Sequence, residues 1–329
     1  MRDTYYTLNA FNNIGHFEEL ESYFNFIQNI ILNEKDRIKP LYTITGDPVP
    51  FETYMDLDGY LDNKPVRVGN NAIKQIQNDV YGQIMISLLP LFIDKRLNYV
   101  EKNKTIEITK NLLKQIEKTI DEPDAGLWEF GNIKQFHNYT ALFHWAGSKA
   151  GLKVASYFKN KELIDLSNTL VLKAREKIEE CYDEKQKAYT QATKNSSMDA
   201  SSFQLITMNY LKEMPERALS LIKTLENKLQ KKDGLFFRYR HKDDLGKPKT
   251  SFLICAFWYA EALACVGKAD EAYAMINKLN SYANHLGLFS EDADMFGGQW
   301  GNFPQTYSHV GLINAVSRIA NKQDSPIFF

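Results

Sequence analysis

The sequence has little of what would place it in several common protein classes. Only three of its 329 residues are cysteine and no CxxC pair occurs, so no disulfide framework is expected. It contains no run of about 18 apolar residues, and its start, MRDTYYTLNAF, lacks the apolar segment of a signal peptide. We therefore expect a protein of the reducing cytoplasm without a membrane span.

An excess of charge of one sign is also missing. The 40 Lys and Arg residues nearly balance the 41 Asp and Glu residues, which gives a formal net charge of −1. Nucleic-acid binding relies on clustered Lys and Arg that neutralise phosphate, so we expect no nucleic-acid partner. His137, His144 and His285 show no metal-ligand spacing, and neither a metal nor another cofactor is predicted.

What the sequence does contain is helical periodicity along nearly its whole length. About eleven segments, among them helices predicted over 71–93, 198–211 and 215–230, are separated alternately by short turns with Gly or Pro and by long polar and aromatic loops. The long loops lie at 39–70, 121–137, 231–250 and 288–303. Loops of this length are uncommon unless they carry function. The pattern predicts a ring of helical hairpins with its active face on the side of the long loops. No Pro/Ser-rich linker divides the chain, so residues 1–329 are predicted to form one all-α domain.

Two of the long loops contain a glutamate in a distinctive setting. Glu129 follows Trp128, and a carboxyl against an indole face is poorly solvated, which raises its pKa and suits a general acid. Glu291 lies between Ser290 and Asp292, a wetter setting that keeps a carboxylate charged and suits a general base. Glycoside hydrolysis uses such an acid and base, whereas a single glutamate on a loop is more often plain solvated surface.

Four segments, in order along the chain, resemble glycoside hydrolase family 15, the family of glucoamylases, glucodextranases and bacterial trehalase-like enzymes. They are residues 57–83, the GLWE motif at 126–129, residues 238–272 and residues 287–315. The resemblance implies an (α/α)6 barrel. It also implies that the chain hydrolyses an α-glucosidic bond with inversion and releases glucose from the non-reducing end, without a catalytic metal.

The resemblance also implies roles for individual residues. Glu129 matches the general acid and Glu291 the general base, and in an inverting enzyme the two carboxyl groups are expected about 6.5–9.5 Å apart. The family's Arg-Asp pair, which binds hydroxyls of the non-reducing glucose, falls here on the second and third residues. The expected substrate-binding residues are Arg2, Asp3, Leu127 and Trp128 of the GLWE motif, and Arg238 as a second sugar-binding arginine.

The chain departs from the family pattern at its start. It begins at the Arg-Asp pair, whereas family members carry a β-sandwich domain, a first helix and an aromatic loop before that pair. We therefore expect an (α/α)6 barrel that is one helix short, with about eleven of its twelve helices. Such a ring would be open at one end, and a second copy of the chain or a partner chain would cover the apolar faces exposed there.

Three functions stay open. The first is an active inverting hydrolase of an α-glucoside. The second is a truncated or split relative with little activity, and the third is a non-enzymatic helical ring that binds glycan or a protein partner. Glu129 and Glu291 favour the first two, and the missing first helix favours the last two. The residues do not choose among maltooligosaccharides, isomaltooligosaccharides and trehalose.

Overall fold

A computed structural model of the chain describes residues 1–34, 36–97, 100–243 and 246–324. Within these residues the fold is built from eleven α-helices, none of which is long and apolar enough to cross a membrane. The helices are α1 (Arg2–Asn13), α2 (Glu18–Asn33), α3 (Val80–Ile93), α4 (Lys102–Thr119), α5 (Asn138–Tyr157), α6 (Lys161–Glu179), α7 (Gln204–Thr207), α8 (Pro215–Leu229), α9 (Leu253–Cys265), α10 (Ala269–Asn280) and α11 (Thr306–Asp324).

Short strands tie the long loops together. β6 lies between β5 and β7 in the largest sheet, while β1 pairs with β2 and β3 with β4, all antiparallel. The strands are β1 (Thr53–Met55), β2 (Val66–Val68), β3 (Tyr182–Asp183), β4 (Ala188–Tyr189), β5 (Ser251–Phe252), β6 (Asp292–Ala293) and β7 (Gln299–Trp300). Because each has only two or three residues, they fix loops and form no core of their own.

The odd-numbered helices form a closed inner ring. Contacts run from α1 to α3, from α3 to α5, and from α5 to a 3-10 turn (Ala200–Phe203) that continues into α7. They continue from α7 to α9, from α9 to α11, and from α11 back to α1. The even-numbered helices pack outside this ring, each against the inner elements beside it. This alternation is that of an (α/α)6 barrel, so the predicted all-α fold is confirmed.

The prediction that the ring is open at one end is wrong for the inner ring of helices, because α1 and α11 are in contact. The side-chain amide of Asn314 on α11 accepts hydrogen bonds from Asn9 and Asn13 on α1, at 3.0 and 3.1 Å, and these helices pack directly together. What the described residues lack is a sixth outer helix over that junction. Ile14 and Val316, near it, are 50% and 46% exposed.

Burial explains why the two layers differ in sequence. Inner helix α9 is buried at every position because it has neighbours on all sides, and its residues LICAFWYAEALAC are apolar almost throughout. Outer helix α8 starts with Pro215, which suits a first helical position. It buries a single stripe of residues: Ala218, Leu221, Ile222, Leu225 and Leu229.

Two predicted helices are shorter in the structure. The helix expected over 71–93 begins only at Val80. A 3-10 turn at Asn71–Lys74 precedes it, and the Asn70 side chain caps this turn by accepting a hydrogen bond from the backbone N–H of Ala72. The helix expected over 198–211 is reduced to the 3-10 turn and α7. Helix α7 ends at Thr207, and an α-helix could not continue beyond Asn209, because the backbone of Asn209 is left-handed with φ 62°.

Candidate active site

The candidate residues gather where the inner helices begin. All six inner elements start at this end of the barrel, and the long loops cover it. The loops are joined there through Trp128, whose ring lies 5.8 Å from that of Phe252, and Leu253 donates its backbone N–H to the carbonyl of Glu291. The loop of the GLWE motif therefore packs directly against the strands that carry Glu291.

Arg2 is used as an internal clamp. Its Nε and Nη2 donate to both carboxylate oxygens of Asp79, at 2.8 and 2.9 Å. Nη1 donates to the carbonyl of Leu127 at 2.8 Å, and Nη2 also donates to that of Gly126 at 3.1 Å. Four of the five guanidinium N–H groups are thus engaged by protein. Nη1 also lies 3.9 Å from Oε1 of Glu129. The guanidinium expected to bind sugar therefore holds the loop of the proposed acid.

A second buried carboxyl holds the same loop. Asp124 is 1% exposed and accepts hydrogen bonds from the backbone N–H groups of Asn78 and Gly126 and from the Thr140 hydroxyl. Burial, together with the nearby charge of Asp79, raises the pKa of Asp124 to about 7. Asp124 thus binds the start of the GLWE loop to the residues before α3 and to the first turn of α5.

Glu129 stands at the end of this clamped loop. Its backbone is left-handed, with φ 59°, a conformation that costs free energy for a residue with a Cβ and is concentrated at functional sites. Gln77 donates to its Oε1 at 3.2 Å, and Gln75 donates to its backbone carbonyl at 2.9 Å. Its side chain is 44% exposed, so the carboxyl is held by two neighbours and still open to solvent.

The expected poor solvation of Glu129 beside an indole is wrong, because its side chain is 44% exposed. The Trp128 indole turns inward and donates its N–H to Asp199 at 2.8 Å. It packs against the rings of Tyr239, Phe252 and Trp258. These aromatic rings and the Asp199 acceptor fix the indole in place.

Glu291 occupies the drier of the two settings, so its expected wet environment is also wrong. Burial raises the pKa of its carboxyl, and the charges of Asp292 and Asp3 act in the same direction. The backbone N–H of Asn302 and the charge of Arg238 oppose this rise in pKa. Both the backbone and side-chain nitrogens of Asn302 donate to Oε2, each at 3.0 Å. Among the described residues, only Asn302 hydrogen-bonds to this carboxylate.

A glycine makes room for this carboxylate. Gly301 has φ +75°, and a Cβ built on it would lie 2.7 Å from Oε2 of Glu291. Because real Cβ atoms do not come that close, a side chain at Gly301 would displace the carboxylate. The loop therefore requires glycine both for its backbone conformation and for the position of Glu291.

The other substrate-binding candidates divide into two groups. Asp3 is exposed and Arg238 is partly exposed, and both lie close enough to Glu291 for their charges to act on its pKa. Nε of Arg238 is buried and has no hydrogen-bond partner within the described part of the chain. The Leu127 side chain, by contrast, is 6% exposed and belongs to the core, and only its carbonyl takes part, through Arg2.

Several residues that position the site are not identified by sequence reasoning. Each holds a residue named above: Gln77, Asp79, Asp124, Asp199 and Asn302. One signal was available, because the polar run at 77–79 directly precedes the apolar helix α3, where buried polar groups need partners. For Asp124, Asp199 and Asn302, the sequence contains no pattern that separates a polar residue with partners in the fold from a solvated one.

Comparison with solved structures supports the fold. The chain matches a bacterial glucoamylase complexed with acarbose with a TM-score of 0.73 and 16% identity, over 97% of this chain and 48% of that one. It matches another glycosidase with a TM-score of 0.70 and 13% identity, over 97% of this chain and 87% of that one. At such identities the likeness concerns the fold alone.

Sequence relatives include proteins named trehalase. One, from Thermoplasma acidophilum, is 29% identical over 97% of this chain and 55% of its own length. Another, from Mycobacterium tuberculosis, is 27% identical over 98% of this chain and 48% of its own length. The chain thus spans about half the length of these curated relatives. The family model for glycosyl hydrolases family 15 matches residues 1–317. The chain therefore belongs to glycosyl hydrolases family 15.

Proposed function

We propose that the protein hydrolyses an α-glucoside with inversion, with Glu129 as general acid and Glu291 as general base. The observation that carries this proposal is that two glutamates from distant loops lie at one end of the barrel, each held through one carboxylate oxygen. Gln77 donates to Oε1 of Glu129, and Asn302 donates to Oε2 of Glu291. The second oxygen of each carboxyl is then available for proton transfer.

The proposed reaction is a single displacement at the anomeric carbon. Glu129 gives its proton to the glycosidic oxygen as the bond from that oxygen to the anomeric carbon breaks. Glu291 takes a proton from the water that attacks the same carbon from the opposite face. The raised pKa of the Glu291 carboxyl makes it a stronger base once it is ionised. The product glucose leaves as the β-anomer.

Two charged side chains are proposed to bind the sugar. Arg238 is partly exposed near Glu291, and its guanidinium is proposed to donate to sugar hydroxyls. Asp3, exposed beside Glu291, offers carboxylate acceptors for vicinal hydroxyls. Arg2 is assigned to positioning, because its N–H groups are already bonded to Asp79 and to the loop of Glu129.

Trehalose is the α-glucoside that we propose as substrate. The support is the name trehalase, which the relatives from Thermoplasma acidophilum and Mycobacterium tuberculosis share. About half of each relative aligns with nearly the whole of this chain. Maltooligosaccharides and isomaltooligosaccharides are the alternatives. A family member that binds glycan without turnover is the second candidate.

The test is glucose release from trehalose, maltotriose and isomaltose, with the product anomers followed by NMR. Inversion at one of the two anomeric carbons of trehalose yields equal initial amounts of α- and β-glucose, whereas retention yields only α-glucose. We expect Glu129→Gln and Glu291→Gln to abolish release and Glu176→Gln, an exposed glutamate on α6, to leave it unchanged. Only α-glucose from trehalose, or full activity in either site variant, would refute the mechanism. Saturable trehalose binding without release would select the second candidate.

A further inference from the structure

A cavity lies inside the barrel, away from Glu129 and Glu291. It has a volume of about 280 Å³ and is lined by all six inner elements. Its lining residues lie about one to four turns along the inner helices from the end where the candidate site is built. The cavity therefore belongs to the opposite end of the ring, and the proposed hydrolysis does not use it.

The mouth of this cavity is positively charged. Lys149 and Lys153, one turn apart on α5, line it and are exposed, and Arg318 lines it from α11. The Lys149 ammonium lies 4.6 Å from the centre of the Trp145 ring, so an aromatic wall stands beside the cations. The carboxyl of Glu261 is the single acidic group among the lining residues. Three cations against one carboxyl favour an anionic ligand.

The floor of the cavity presents polar groups that the protein leaves incompletely used. Gln204 is 3% exposed, and its Nε2 has no hydrogen-bond partner among the described residues, while its Oε1 accepts from Thr207 at 3.2 Å. Such an unpaired donor is costly unless something supplies an acceptor. Glu261, 7% exposed, lies 3.9 Å from Nε of Arg318 and has no nearer partner in the described part of the chain.

We propose that this cavity binds a small phosphorylated sugar. The phosphate would lie at the Lys149 and Lys153 mouth, where charge-assisted hydrogen bonds form. The sugar ring would lie beside Trp145, with its hydroxyls at the Gln204 and Glu261 floor. A simpler explanation of the cations is that they balance the negative ends of the inner helices. That explanation leaves the buried Nε2 of Gln204, a residue that lines the cavity, without a partner among the described residues.

The test is calorimetric titration of the protein with glucose 6-phosphate at low salt, beside inorganic phosphate and glucose. We expect one site per chain that prefers glucose 6-phosphate to either fragment. Lys149→Gln and Lys153→Gln should each weaken binding about tenfold, the effect of losing one charge-assisted hydrogen bond. Lys223→Gln, an exposed lysine on α8, is the matched control and should bind like the unchanged protein.

Gln204→Met tests the floor separately. It should weaken glucose 6-phosphate and leave inorganic phosphate unaffected, while circular dichroism checks that each variant is folded. Absence of saturable binding to folded protein, equal affinity for glucose 6-phosphate and phosphate, or equal affinity in all variants would overturn the proposal. The titration contains no α-glucoside and can be repeated in the Glu129→Gln variant, so its outcome does not depend on the proposed hydrolysis.

Discussion

The Arg2–Asp79 pair should be the most sensitive charged contact beneath the candidate site. The Arg2 side chain is 8% exposed and that of Asp79 is 1% exposed, and two hydrogen bonds of 2.8 and 2.9 Å join them. Asp79→Asn keeps the shape, removes the charge and turns an N–H group toward the guanidinium. The change leaves the buried arginine with only the more distant Glu129 carboxyl, 3.9 Å away, as a counter-ion.

Breaking a buried pair on one side costs about 3–5 kcal/mol, and we expect the lower part of that range because one hydrogen bond survives. For a chain of 329 residues, a loss of about 3 kcal/mol lowers the melting temperature by about 4 °C. The same guanidinium also holds the loop of Glu129, because the carbonyls of Gly126 and Leu127 accept hydrogen bonds from it. A displacement of the proposed acid by about 1 Å should therefore lower kcat by about 100-fold, with KM changed far less.

Urea unfolding and thermal melting measure the first effect, and steady-state kinetics with the substrate that the glucose-release test selects measure the second. The matched control is Asp94→Asn, which breaks a pair of similar geometry with Arg96 at the surface, where the arginine side chain is 79% exposed. The control should melt like the unchanged protein because water replaces the lost contact. Equal destabilisation of the two variants would refute the role assigned to burial, and an unchanged kcat in Asp79→Asn would refute positioning through Arg2.

Three further predictions concern single residues. Gly301→Ala should lower kcat at least tenfold more than Gly297→Ala. Both glycines have positive φ, but only a Cβ at position 301 would meet the Glu291 carboxylate, at 2.7 Å. Equal losses of kcat in the two variants would contradict this. Asn302→Asp puts a carboxyl 3.0 Å from Glu291 and should move the acidic limb of the pH profile of kcat/KM up by about one unit or more; an unmoved limb would exclude Glu291 as the base. Glu261 has its pKa raised by burial from 4.5 to about 7, so the native state binds a proton more tightly than the unfolded state and stability falls as pH rises through that window. Glu261→Gln should raise the melting temperature at pH 8 and leave it unchanged at pH 4, and a gain of equal size at both pH values would contradict the assignment.

Much of the fold can be predicted from local sequence. The helical stripe of α8 and its start at Pro215 are readable directly, and the structure agrees to within one residue at its end. The prediction fails where local pattern and tertiary contacts disagree. Residues 71–79 have helical periodicity, yet in the structure Gln75 and Gln77 bond to Glu129 and Asn78 bonds to Asp124, so the α-helix starts only at Val80.

The candidate site is less predictable than the fold. The loops that carry Glu129 and Glu291 stand out by length and composition, and their positions at one end of the barrel follow from the alternation of helices. Their environments do not follow, because neighbours in sequence can point apart. The Trp128 indole donates its N–H to Asp199, 71 positions away. Gly301 and Asn302 contact the Glu291 carboxylate from ten and eleven positions away in the sequence.

The sequence by itself determined the class of fold, the single ring of paired helices and the two loops with candidate glutamates. Those features depend on periodicity and on local turn residues, which act over a few positions. Only the tertiary structure decided that Arg2 serves as a clamp, that Glu291 is the drier carboxyl and that the inner ring closes. Those properties depend on burial and on partners far away in the chain, such as Asp79 and Leu127, 77 and 125 positions from Arg2. Desolvation and hydrogen bonding are set by what surrounds a group in space, and no local pattern records it.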